Sequence, residues 1–327
     1  MSATSHQPAD RTSSHRTALD WGEQHWWIWH GCRIHWRCLG PEQGQPVLVL
    51  HGFGASCDHW RRCAPALAEL GYRVYGLDLI GFGRSDQPGL GQERPLDNRL
   101  WGRQTSAFIG AVIQQPTILI GNSLGGLAAL TAAVLTPSQV QAVVAAPLPD
   151  PALIKPVAAR RKPLRRRWNR RLIHGLMRLL PLELLLPVIT RTPLLKAGLQ
   201  AAYTRSVGND DALLRSIRRA AMRRTAARSL RSMCVGMALR PHGATAPALL
   251  QRLSQPMLLI WGAQDRFVPF ALGQHIQRTC PDIALIAIDQ CGHCPHDECS
   301  DAFIAQLIPW LDRNLGRRRP VGPDQRR

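Results

Sequence analysis

The chain has 327 residues, 45% of them hydrophobic, with 27 glycines and 25 prolines. That composition excludes a disordered or fibrous protein and leaves room for one α/β core plus an inserted subdomain. The formal charge of +19 suggests nucleic acid until its distribution is read: 21 Lys and Arg stand against 3 Asp and Glu in residues 151–250, whereas the rest of the chain carries 20 basic and 19 acidic residues. Charge confined to one segment, with no nucleic-acid module to go with it, argues against nucleic acid as a partner.

Residues 1–20 are polar, rich in Ser, Thr and His, and lack the apolar centre of a secretory signal, so a disordered tail is expected. Nine cysteines in such a chain read as free thiols in a reducing, cytoplasmic setting. Residues 26–39 alternate apolar and polar around Gly31, the pattern of a β-hairpin. Short continuous apolar runs follow at 46–50, 74–77, 117–120, 140–145, 257–260 and 283–288, which suit strands buried on both faces of a parallel sheet. Helical segments at 60–70, 100–113, 124–135 and 270–278 alternate with them. A mostly parallel, doubly wound α/β sheet is predicted, its core made of residues 21–150 and 251–315. No run of about 18 uncharged apolar residues suggests a membrane-spanning helix.

The alternation breaks after Ala146 and resumes at Met257. Between them, Leu- and Arg-rich helical stretches are punctuated by Pro156, Pro163, Pro181, Pro187 and Pro193, and residues 151–250 are predicted to form an inserted basic helical cap. Trp168, Leu172, Leu176 and Leu179 fall on one helical face and Arg167, Arg171, His174 and Arg178 on another. Two readings stay open: the apolar stripe packs over the core, or the basic amphipathic surface docks peripherally on a membrane. Residues 316–327, with five arginines and two prolines, are expected to be a second disordered tail.

Gly121-Asn122-Ser123-Leu124-Gly125 directly follows the predicted strand 117–120 and directly precedes the Ala/Leu-rich helix 124–135. A sharp strand-to-helix turn holds such a serine in a strained conformation at a helix N-terminus, and the glycines on either side relieve contacts with the neighbouring strand and helix. A serine hydroxyl needs a base, and the base an orienting acid. His293, just beyond the strand 283–288, and Asp265, just beyond the strand 257–260, supply them in the chain order Ser, Asp, His, which places the three at successive strand ends of one sheet edge. The backbone N–H groups of Leu124 and of Phe53, in His51-Gly52-Phe53-Gly54, are the expected oxyanion donors. His51 is read as bracing its loop rather than as a base. Cys291, His293, Cys294, His296 and Cys299 crowd nine residues in the manner of a zinc site, but Pro295 stiffens the segment and His293 is needed by the serine, so no metal is assigned. His296 and Asp297 are expected to stabilise the loop that presents His293.

With these residues in view, the chain resembles the α/β-hydrolase superfamily over nearly all of residues 26–315. Within it, His51-Gly52-Phe53-Gly54, the segment from Asp78 to Ser85, Leu100-Trp101 with Gln104, Gly121 to Gly126 and Gly292 to Glu298 together resemble pheophytinase-like plant and cyanobacterial hydrolases. The resemblance implies an α/β-hydrolase fold, a hydrophobic small-molecule ester as substrate, cleavage of the phytyl ester of a chlorophyll derivative, and no cofactor. A serine at the elbow argues against epoxide hydrolases and haloalkane dehalogenases, which attack with a carboxylate there. The competing expectation is a receptor that keeps the fold and the triad while sensing a hydrophobic ligand in the cap pocket.

Overall fold

A computed structural model describes residues 20–89, 96–154, 172–173, 175–177 and 179–316. Strands β1 (Glu23–Trp29) and β2 (Cys32–Leu39) form the predicted hairpin. Its two-residue loop, His30-Gly31, has positive φ at both residues, 47° and 74°, the geometry that matches the right-handed twist of the flanking strands. Then follow β3 (Gln45–Leu50), α1 (Cys63–Glu69), β4 (Tyr72–Leu77), α2 (Asn98–Phe108), β5 (Thr117–Gly121), α3 (Leu124–Leu135) and β6 (Val140–Ala145). After an insertion come β7 (Met257–Gly262) and β8 (Ala284–Ile288).

All eight strands join one sheet in the order β1-β2-β4-β3-β5-β6-β7-β8. β2 alone runs opposite to the other strands, pairing antiparallel with β1 and β4, and β3 through β8 are parallel to one another. The apolar runs are continuous because the sheet is covered on both sides and successive side chains alternate between the two faces. Leu48, Leu50, Leu119, Val143, Leu259 and Trp261 pack into one core with α2 and α3. Val47, Val49, Ile118, Ile120, Val144, Leu258 and Ile260 pack into another with α1 and the C-terminal helix. The run in β8 departs from this pattern: β8 is an edge strand, only Ile288 in it is buried, and Ala287 is exposed.

Strand order reverses at β3, which pairs with β4 on one side and β5 on the other. Open α/β sheets bind ligands beyond the carboxyl ends of the strands at such a switch point. Here those ends lead into His51-Gly52-Phe53 from β3 and Asn122-Ser123 from β5, with Leu50 and Gly121 paired in register. β6 lies between β5 and β7, so the loop after β7 must reach back across one strand, and the loop after β8 across two, to meet Ser123.

The insertion between β6 and β7 contains α4 (Leu182–Arg191), α5 (Pro193–Gln200), α6 (Asp211–Ala221), α7 (Ala226–Leu239) and the short α8 (Ala246–Leu250). Asp150 ties its two ends together: its carboxylate accepts from Ala152 N at 2.9 Å, from Ala246 N at 2.7 Å and from the Arg240 guanidinium. Ala246, Leu249 and Leu250 belong to the same core as α3. No helix of the described residues is long and apolar enough to cross a membrane.

Candidate active site

Ser123 joins β5 to α3 with φ 52° and ψ −116°, a conformation that side chains rarely adopt. The glycines around it are there for packing. A Cβ on Gly121 would lie 2.3 Å from the backbone of Gly125, and a Cβ on Gly125 would lie 2.2 Å from the Leu50 carbonyl oxygen. Neither contact can relax without moving backbone, so the elbow closes only with glycine at both positions. Leu124, the first residue of α3, has an N–H with no intrahelical acceptor. Gly52 lies against the elbow, since a Cβ there would come within 2.5 Å of Asn122 Oδ1 and 3.4 Å of Ser123 Cβ. That contact sets Phe53 one residue from the serine's surroundings.

His293 and Asp265 meet directly: His293 Nδ1 and Asp265 Oδ2 are 2.9 Å apart, and the carboxylate is fully buried. The second carboxylate oxygen, Oδ1, accepts from the backbone N–H groups of Phe267 at 2.8 Å and Val268 at 2.9 Å, which fixes the plane of the carboxylate. A carboxylate can only accept, so Nδ1 of a neutral His293 carries the proton and Nε2 keeps its lone pair. Phe267 packs edge-on against the imidazole at 5.5 Å. The loop holding His293 is tied to the elbow by Asn122, whose Nδ2 donates to the His293 carbonyl at 3.1 Å and also to Ala146 O. Asn122 is therefore the brace that joins the ends of β5 and β6 to the loop after β8. Its place inside the elbow motif was visible in the sequence, but its bond to a residue 171 positions away was not.

His51 bonds within its own loop and to the next strand end, with Nδ1 2.8 Å from Gly52 O and Nε2 accepting from Leu79 N at 3.1 Å. Neither ring nitrogen is left for proton transfer at Ser123. Asp78 knots the same region, accepting from Cys57 N at 2.7 Å, Arg84 N at 2.8 Å and His35 Nδ1 at 2.9 Å. His35, Cys57 and Asp78 have ligand atoms close enough together to hold a metal ion, as do Glu23, His25 and Cys38. In the first group burial and Asp78 push the Cys57 thiol well up, away from the thiolate a metal needs, and the Asp78 carboxylate is already committed to its donors.

The residues after His293 hold its loop to the insertion. Glu298 accepts from Gly292 N at 2.7 Å, from Thr204 N at 2.6 Å and from Arg205 N at 2.7 Å, and His293 N donates to Ala202 O at 2.8 Å. Arg61 Nε donates to Asp297 Oδ1 at 2.9 Å, and the Tyr203 hydroxyl donates to Asp297 Oδ2 at 2.9 Å. With its hydroxyl proton so used, Tyr203 accepts from His59 Nε2 at 2.7 Å, which leaves His59 Nδ1 to accept from His296 Nε2 at 3.3 Å. One set of tautomers supplies every bond of the relay with both imidazoles neutral, leaving His296 Nδ1 buried without a partner.

Burial, opposed in part by Asp297 and reinforced by Arg61, pushes the His59 pKa down to about 4. Burial likewise pushes His296 well below its usual value, with His59 adding to the effect. The unfolded chain then takes up protons that the folded protein refuses, so stability is full above the unfolded value of 6.5 and falls as pH drops toward about 4. For His59 alone the loss amounts to roughly 3 kcal/mol. Asp297, which burial alone would raise but His59 and Arg61 hold low, adds a further loss below its unfolded value of 3.8. Urea midpoints measured from pH 7.5 down to pH 4 are expected to fall steadily below pH 6.5; a flat profile over that range would contradict the neutral relay.

An eight-stranded, mostly parallel sheet carrying a strand–serine–helix elbow at its switch point defines an α/β hydrolase. The chain matches the alpha/beta hydrolase family over residues 47–306 and belongs to it. It is similar to a 2-hydroxy-6-oxononadienedioate/2-hydroxy-6-oxononatrienedioate hydrolase of Cupriavidus pinatubonensis, 26% identical over 285 residues that cover 85% of this chain and 90% of that protein. Among solved structures it is similar in fold to a bacterial membrane phospholipase A, with TM-score 0.69, 24% identity and coverage of 90% of this chain and 87% of that one. A thermophilic esterase from Thermogutta terrifontis shares the fold at TM-score 0.64 and 20% identity, over 90% of this chain and 99% of that one.

A cavity of about 200 Å³ opens beside Phe53 and Gly54, between Gly81, Phe82 and Leu96 of the core and α4, α6 and α7 of the insertion. Leu186, Ile189, Leu195, Ile217, Leu230 and Met233 form much of its wall, and Gln87, Thr190 and Ser229 are the polar residues that line it. None of the described residues lining it is charged.

Proposed function

We propose that the protein is a serine hydrolase that cleaves a carboxylic ester of a hydrophobic substrate through an acyl-enzyme. His293 Nε2 takes the proton of Ser123, the serine oxygen attacks the ester carbonyl, and the amides of Phe53 and Leu124 hold the oxyanion. Asp265 keeps the imidazole in the tautomer this requires and stabilises its protonated form. The alcohol leaves with the proton from His293; water then attacks the acyl-enzyme with His293 again as base, and the acid is released. No metal or organic cofactor enters these steps. The observation that carries the reading is the His293–Asp265 pair with its buried carboxylate, held by Asn122 to the loop that bears a strained Ser123.

The uncharged, aliphatic cavity beside Phe53 supports an apolar substrate portion. A phytyl ester of a chlorophyll derivative is the particular candidate supplied by the sequence resemblance. The similarity to the Cupriavidus enzyme supports a second reading, in which the serine machinery attacks a ketone and breaks a carbon–carbon bond. A dioate of the kind named for that relative brings two carboxylates, however, and the described cavity lining offers no cation to receive them. Ser123-dependent turnover should be screened across p-nitrophenyl esters of increasing chain length, a phytylated pigment and a dienedioate. Hydrolysis that rises with acyl or alcohol length supports the hydrophobic ester. Turnover of the dienedioate alone would overturn it in favour of carbon–carbon cleavage.

A further inference from the structure

The leucines that the sequence left open between inward packing and outward display are displayed. Leu172 is 71% exposed and Leu179 81%, and Leu176 is exposed as well, so the described part of that stripe does not pack over the core. Trp168 and the basic positions Arg167, Arg171, His174 and Arg178 lie outside the described residues. The apolar surface continues along α4, where Leu184, Leu185 and Val188 face outward, and onto Leu194 of α5. Arg231 ties these pieces together: it donates to the carbonyls of Met177 and Leu180 and pairs with Glu183 at the start of α4. Eight large aliphatic side chains between positions 172 and 194 stand more than a third exposed, far beyond the scattered apolar residues of an ordinary surface.

Cations flank this surface. α6 packs against α4 and presents Arg215, Arg218 and Arg219 outward, spaced as one helical face, while Arg191 and Lys196 are exposed on α4 and α5. The three acids of residues 151–250 do not neutralise them: Glu183 is paired with Arg231, Asp210 with Arg61, and Asp211 sits in the first turn of α6. The surface also borders the cavity. Ile189 lines the cavity and is itself 38% exposed, and Leu186 and Leu195 line it from the helices whose other sides carry Leu184, Val188 and Leu194.

From the exposed leucines, the unneutralised arginines around them and the cavity wall they share, we infer that this face docks on an anionic lipid surface and that substrate enters the cavity from the lipid phase. Aliphatic side chains enter the interface between headgroup and acyl chain while the arginines meet the headgroup charge. The inference rests on the hydrophobic-ester reading for its substrate, but docking itself needs no catalysis.

Sedimentation with phosphatidylcholine/phosphatidylglycerol vesicles at low salt tests it, with phosphatidylcholine vesicles as the comparison. The Ser123→Ala protein should bind the anionic vesicles as the native protein does, so failure of the esterase reading would leave this result standing. Binding should weaken as salt is raised. The combined Arg215→Gln, Arg218→Gln and Arg219→Gln variant should bind roughly a hundredfold more weakly, at about fivefold per arginine. The Leu184→Ser, Val188→Ser pair should also release the protein, and both variants should keep native turnover of a soluble short ester, which shows that they are folded. No binding to anionic vesicles at low salt, equal binding to both vesicle types, or a stable dimer that these two serine substitutions dissociate would overturn the proposal.

Discussion

Replacing Ser123 by alanine is expected to lower kcat on a short p-nitrophenyl ester by about ten-thousandfold or more while the protein stays folded. The magnitude follows from the role: a nucleophile acts only in the chemical step, and its loss leaves just the binding site and the oxyanion donors to assist attack by water. KM should change little, because the apolar cavity proposed to receive the substrate is lined by other residues. Far-ultraviolet circular dichroism with stopped-assay kinetics separates loss of chemistry from loss of fold. The substitution also relaxes no packing contact, since the tight approaches in the elbow are those of Gly121 and Gly125.

Asp265→Asn is expected to lower kcat by about ten-thousandfold, again with little change in KM. The Phe267 and Val268 amides now donate to Oδ1, so an asparagine keeps its oxygen there and turns its NH2 group toward His293. Facing a donor, the ring places its proton on Nε2, where it can no longer accept one from Ser123. Steady-state kinetics at pH 7 to 8 measure the effect. A loss of less than tenfold would show that Asp265 does not set the tautomer of the catalytic base.

Much of this site could be read before any coordinates, for identifiable reasons. Strands β5, β7 and β8 are short apolar runs, and the polar candidates Ser123, Asp265 and His293 stand out because they come within a few residues of the runs' ends. The elbow advertises itself because two glycines are forced by contacts of 2.2 to 2.3 Å with neighbouring backbone. What pattern reading missed depends on strand order and on contacts between distant positions. The exposure of β8 follows from its place at the edge of the sheet, which its own composition does not encode. The relay from His296 through His59 and Tyr203 to Asp297 joins residues 94 and 144 positions apart. The leucines of the insertion were ambiguous because helical spacing shows that a stripe exists, not which way it faces. That direction is set by Arg231 and by the packing of α6 against α4.

The insertion and the loop that carries His293 are bonded together. Glu298 and Asp297, within five residues of His293, are bonded to Thr204, Arg205 and Tyr203, and His293 itself donates its N–H to Ala202. Contact between the insertion and a lipid surface would therefore act on segments that also hold the His293 loop in place.

In the proposed reaction the acyl group passes through an ester on Ser123. Intact-protein mass spectrometry after rapid acid quench, with a slowly deacylating ester or a fluorophosphonate, observes that species directly. One added acyl or phosphonyl mass per chain is expected, mapped by peptide digestion to the segment containing Ser123 and absent from the Ser123→Ala protein. Turnover by the native protein with no adduct at Ser123, and undiminished turnover by the Ser123→Ala protein, would contradict it.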